Sequence, residues 1–146
     1  MRRAHFPPER NQVPAHLTLF HHLPPDLAPE LDRRLAAHAA GPPPRATILG
    51  VMDMGRGTAF RIDSEDLADI RYDLAEAFRG LLIPQDQAGF RPHVTVQNKV
   101  EPREAKALLA ELSSDFRPWS FAADGLQLWR YLDGPWELVS ETRFSR

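Results

Sequence analysis

Apolar and polar residues alternate over Ala15-His16-Leu17-Thr18-Leu19-Phe20, the period-two pattern of a half-buried strand. The period then changes. Leu27, Leu31 and Leu35 recur every four residues behind Asp26, a helix-capping residue, and Gly41-Pro42 ends the pattern, so a helix is predicted from Asp26 to about Ala40. Thr47 to Met52 is a short apolar run that predicts a buried strand. Gly55-Arg56-Gly57 then turns the chain into a returning strand, Thr58 to Ile62. Asp63 or Ser64 caps a second helix, with Leu67, Ile70, Leu74, Ala77, Phe78 and Leu81 on its apolar face. Its other face is acidic (Asp63, Glu65, Asp66, Asp69, Asp73, Glu76) and reads as solvated. The order then starts again. Pro92-His93-Val94-Thr95-Val96 is an alternating strand, and Pro102 opens a helix carried on by Ala105, Leu108, Leu109 and Leu112. Strands at Trp119–Phe121, Leu126–Tyr131 and Trp136–Thr142 follow, joined by turns at Asp124-Gly125 and Asp133-Gly134.

A repeat at half-domain scale predicts an α+β fold of two similar lobes. Each lobe is an antiparallel sheet with flanking helices, and a pseudo-twofold cleft lies between them. At 146 residues, with 42% apolar and 26% charged positions, one such domain covering 1–146 is the expected organisation. The fourteen prolines fall in clusters that punctuate elements, as at Pro42-Pro43-Pro44. With no cysteine, disulfide frameworks, thiolate metal sites and cysteine nucleophiles are excluded. No stretch approaches the length of a membrane span, and the basic N-terminus lacks the apolar stretch of a signal peptide. A soluble, cytoplasmic protein without membrane partners is therefore expected. A net charge of −2 argues against broad binding to duplex nucleic acid and leaves a small nucleotide or an RNA end open as partner.

The chemistry lies in the element that repeats, a His-x-Thr on a strand. Residues two apart on a strand share a face, so His16 stands with Thr18, and His93 with Thr95. The apolar Leu17, Leu19, Val94 and Val96 take the opposite face. Each His lies about 6.6 Å along the backbone from its Thr, near enough for both side chains to reach one small ligand. Two imidazoles facing one ligand supply a base and an acid near neutral pH, and two hydroxyls suit a phosphate's oxygens. One such motif is commonly structural; two, each behind a proline and ahead of a helix, are less easily a coincidence. A metal site is the competing use of these histidines. In an extended strand His21 points away from His16, and His22 lies about 20 Å along it, so a tetrahedral site would need a sharp bend. His5 and His38 read as surface or helix-flank residues. Phe20, Trp129 and Tyr131 are candidates to stack a base or to serve the core. Arg91 and Lys99 flank the second motif and are candidate phosphate contacts or ordinary surface.

Ala15-His16-Leu17-Thr18-Leu19 and Arg91-Pro92-His93-Val94-Thr95-Val96 resemble the paired signatures of the 2H phosphoesterase superfamily, and within it the 2′-5′ RNA ligase-like branch. The resemblance covers about residues 6–142. It implies that His16 and His93 are the general acid and base on a 2′,3′-cyclic or 2′-5′ phosphodiester, in either assignment. It implies that Thr18 and Thr95 hold the phosphate, with neither metal nor cofactor required. The substrate would be a small nucleotide or an RNA terminus, and either hydrolysis or ligation is consistent with the motifs. A non-catalytic module binding RNA ends or nucleotides in the same groove is the alternative. The family carries a strand and a helix before the first motif. Here 15 residues, Pro7, Pro8 and Pro14 among them, precede His16. Either Met1 is an internal start or this branch lacks the element. Residues 1–13 are then expected to be irregular, and an uncovered sheet edge is a candidate homodimer contact.

Overall fold

The computed structural model describes residues 16–97, 100–114 and 116–145. In chain order they form a 3-10 turn (Pro25–Leu27), helix α1 (Ala28–Ala39), strands β1 (Arg45–Asp53) and β2 (Thr58–Asp63), helices α2 (Glu65–Ala77) and α3 (Pro84–Gln87), strand β3 (His93–Gln97), helix α4 (Pro102–Ser114), and strands β4 (Trp119–Ala122), β5 (Gly125–Tyr131) and β6 (Trp136–Arg143). One sheet has the order β3-β2-β1-β4, and β5 and β6 form a second. The pairs β1–β2, β2–β3 and β5–β6 are antiparallel, which makes the fold α+β, as the element pattern predicts. Residues 1–15, including those expected to be irregular, and Lys99 lie outside the described residues. Among the described residues no helix is long and apolar enough to cross a membrane.

The described residues divide into two compact units. The first holds residues 16–18, 47–63 and, where described, 91–120. On β2, Thr58, Phe60 and Ile62 are buried on one face, and α4 covers it: Thr58 Oγ1 donates to the Ala105 carbonyl at 3.3 Å. Val94 of β3 lies opposite Phe60, and Leu17 lies opposite Val94 in an antiparallel bridge. Leu17, Val94 and Val96 thus share the helix-covered face; Leu19, expected there too, packs instead against the core of the second unit, because the chain leaves the sheet after Thr18. Val96, Ala105 and Leu108 fill the helix-covered face, and the Trp119 ring meets Phe60 edge-on at 5.2 Å. The sequence pattern places one motif in each lobe; both fall in this one unit, joined by the Leu17–Val94 bridge.

The second unit holds residues 19–46, 64–90 and 121–145. Leu31, Leu35 and Ala39 of α1, Ile70 and Leu74 of α2, Phe78, Leu126 of β5, and Phe144 make its core. The Ser64 hydroxyl oxygen caps α2, accepting from the Leu67 N–H at 3.0 Å and donating to the Arg45 carbonyl at 2.7 Å. The β5–β6 turn has Asp133 at φ 58° and Gly134 at φ 139°, the left-handed region that short polar residues and glycine tolerate.

Three expectations change. Asp26 does not cap α1. Pro25 starts a 3-10 turn that contains Asp26, and α1 begins at Ala28 without a side-chain cap. Pro29 sits in its first turn, where a missing N–H costs nothing. Helix α2 ends at Ala77, so Leu81 falls past the helix and is exposed. The strand expected over Ala15–Phe20 is reduced to a single bridge at Leu17. Arg71, buried on the apolar face of α2, explains why: its Nε donates to the Leu19 carbonyl at 3.0 Å. The carboxylate of Asp86, 3% exposed, accepts from the backbone N–H of His21 at 2.9 Å and of His22 at 3.1 Å. Backbone groups engaged in this way are not available to a strand ladder, so the chain leaves the sheet after Thr18.

Candidate active site

The bridge between Leu17 and Val94 sets the geometry of the two motifs. In an antiparallel pair, the residues flanking a bridge oppose each other, so His16 stands opposite Thr95 and Thr18 opposite His93. Side chains directly opposite have Cβ atoms about 5 Å apart, and diagonal neighbours about 7–8 Å. The diagonal pair is His16 and His93, about the separation at which two imidazoles flank one phosphate. All four side chains project from the face opposite Leu17, Val94 and Phe60. His16 is exposed, and Thr18, His93 and Thr95 are half-buried, so a ligand can reach them.

Local structure orients the second histidine. Pro92 leads into β3 and its carbonyl accepts from the Ile62 N–H at 3.0 Å, tying the strand end to β2. The ring of His93 turns back so that Nδ1 lies 3.0 Å from the Arg91 carbonyl. A carbonyl only accepts, so Nδ1 carries the proton. In the neutral ring Nε2 is therefore the basic nitrogen, and in the charged ring Nε2–H is the second donor.

The next strand adds a residue that the sequence reading missed. On β2, Arg61 lies opposite His93 and Ala59 opposite Thr95, so Arg61 shares the motif face. Alternation along Thr58–Ile62 shows that Arg61 avoids the buried face. Only the register against β3 shows that it stands beside His93. A one-residue irregularity in β1 follows Ile48, so Gly50, not Leu49, pairs with Arg61. The Arg61 guanidinium extends over Gly50: a Cβ added there would stand 3.5 Å from Nη2.

Arg91 is exposed and meets the motif through its backbone oxygen. Phe20 lies in the second unit, packed against that core with the Arg71 guanidinium 4.3 Å from its ring centre. Tyr131 is 57% exposed near the end of the β5–β6 hairpin, its ring 5.0 Å from that of Trp136. His21 Nδ1 is 2.9 Å from Asp86, and His38 Nε2 is 2.9 Å from Asp73. Among the described residues no three His, Cys, Asp or Glu side chains are placed to hold a metal ion.

Comparison with solved structures finds TT0787 of Thermus thermophilus, at a TM-score of 0.61 and 19% identity, covering 91% of this chain and 81% of that one. That likeness bears on the fold. No curated protein sequence matches the chain. The model of the 2′-5′ RNA ligase superfamily matches residues 1–135, nearly the whole chain and both His-x-Thr segments. The protein belongs to the 2′-5′ RNA ligase superfamily, with the phosphoesterase or ligase type of chemistry that membership carries.

Proposed function

We propose that the protein is a metal-independent phosphodiesterase acting on 2′,3′-cyclic or 2′-5′ phosphodiesters of small nucleotides or RNA ends. The observation that supports this most is the pairing of Leu17 with Val94, which brings two histidines and two threonines onto one face of one sheet. On a cyclic substrate, the neutral histidine takes a proton from water as the water oxygen bonds to phosphorus. The protonated histidine gives its proton to the ribose oxygen whose bond to phosphorus breaks. The product is a phosphomonoester, and the two histidines have exchanged protonation states. Each transfer contributes typically ~10²–10⁴ in rate. The threonine hydroxyls donate to the non-bridging oxygens, where charge builds in the transition state. His93 acts through Nε2, because Nδ1 is held by Arg91. Ligation follows the same course with the hydroxyl of a second nucleotide in place of water as the nucleophile, and cleavage of a 2′-5′ diester to the cyclic phosphate is its reverse.

The test is turnover of a nucleoside 2′,3′-cyclic phosphate and a 2′-5′-linked dinucleotide by the pure full chain in the presence of EDTA. The expected result is a monoester product from at least one of them, lost in His16→Ala and in His93→Ala. A wild-type rate no greater than that of the double variant, or activity that requires an added divalent metal, would refute the proposal.

A further inference from the structure

Arg61 does not lean towards the motif it stands beside. Its Cα lies opposite His93, yet its guanidinium extends the other way, over Gly50 of β1. The positions of His93 and Gly50 are two strand spacings apart, about 10 Å. The guanidinium thus sits over the neighbouring strand, displaced from the position of His93. The guanidinium therefore marks a place next to the reacting phosphate.

Two features of the sheet create that place. The irregularity after Ile48 sets Gly50 opposite Arg61; uninterrupted pairing from Ile48 would have set Leu49 there. Irregularities of this kind re-aim side chains beside functional sites. Glycine then leaves the space that a longer side chain would fill. Arg61 is exposed, and among the described residues it joins no ion pair. Asp63, two residues along the same face, is the carboxylate nearest in register. A planar guanidinium beside a phosphate site is suited to bidentate recognition of another phosphate.

Resting on the function proposed above, we infer that Arg61 over Gly50 forms a second phosphate site. The preferred substrate then carries a phosphate group besides the one that reacts.

The experiment compares the affinity of the full chain for adenosine 2′-monophosphate and for adenosine 2′,5′-bisphosphate by calorimetry, so that it needs no turnover. Wild type is expected to bind the bisphosphate at least ~10-fold more tightly, the scale of hydrogen bonds to a charged group. Arg61→Gln is expected to bring the two affinities within about 2–3-fold and Arg61→Lys to retain part of the gain, since the charge stays but the fork is lost. Gly50→Val keeps the charge, fills its place and should also cut the gain. No gain in wild type, or a gain that survives Arg61→Gln, overturns the inference. An Arg61-dependent gain in a protein that turns over no phosphodiester would refute the proposed catalysis and leave the second phosphate site standing.

Discussion

Replacing Asp86 by alanine tests how the chain is held just after the first motif. The carboxylate accepts from the N–H groups of His21 and His22 and from His21 Nδ1. Burial works to raise its pKa. The His21 and His22 hydrogen bonds and the charge of His21 outweigh burial and hold it below the ordinary carboxylate value. Alanine leaves two backbone donors without their acceptor, at ~1–3 kcal/mol each where water is excluded. Both histidines are exposed, so water replaces part of this and the low end applies. Relief from burying a carboxylate offsets some of it, while the ring hydrogen bond adds to it. The expected loss is about 2–3 kcal/mol, or roughly 6–9 °C in Tm for a chain of this length. Urea titration and thermal melting by circular dichroism of wild type and Asp86→Ala at pH 7 measure it. The pH dependence is a stronger check. A carboxylate with a depressed folded pKa stabilises the protein above its unfolded pKa, and that contribution is lost as pH falls through the folded value. The gap between the two proteins should thus be full above about pH 5 and close as the solution is acidified below about pH 4. A gap under 0.5 kcal/mol at pH 7, or one that stays constant down to pH 3, would show that Asp86 does not hold this segment.

If turnover needs one neutral and one charged histidine, rate against pH should be bell-shaped, with limbs belonging to the pair. The losses in His16→Ala and His93→Ala should not add in the double variant, which steady-state kinetics will show. Thr18→Ala and Thr95→Ala should each lower kcat/KM by about 10–100-fold, the loss of one hydrogen bond to a charged group; rates unchanged by either would remove that threonine from the site. Ser64→Ala removes the cap of α2 and its bond to Arg45 and should cost about 1–2 kcal/mol by urea titration. Phe78→Ala, at a position 1% exposed in the second core, should cost about 3–5 kcal/mol by the same measurement.

Much of this protein follows from sequence alone. Helices α1, α2 and α4 and the strands β1 to β6 lie close to where the apolar periods place them, because a period of two or four is a local property that burial rewards wherever the segment goes. The same alternation states that His16 shares a face with Thr18, and His93 with Thr95, since a strand admits no other arrangement. The ends of elements were less legible where a distant group claims the backbone. Leu19 and Phe20 read as the continuation of a strand, and only Arg71 and Asp86 from other elements, holding Leu19, His21 and His22, draw the chain out of the sheet. Register was not legible at all. That Leu17 meets Val94, that Arg61 stands opposite His93, and that Gly50 faces Arg61 depend on how strands slide past one another. A shift of two residues keeps every side chain on its face, so a local pattern cannot exclude it. The sequence by itself determined which side chains face the ligand side of each strand. The tertiary structure alone decided which of them are neighbours, because pairing register is fixed by packing between segments far apart in the chain.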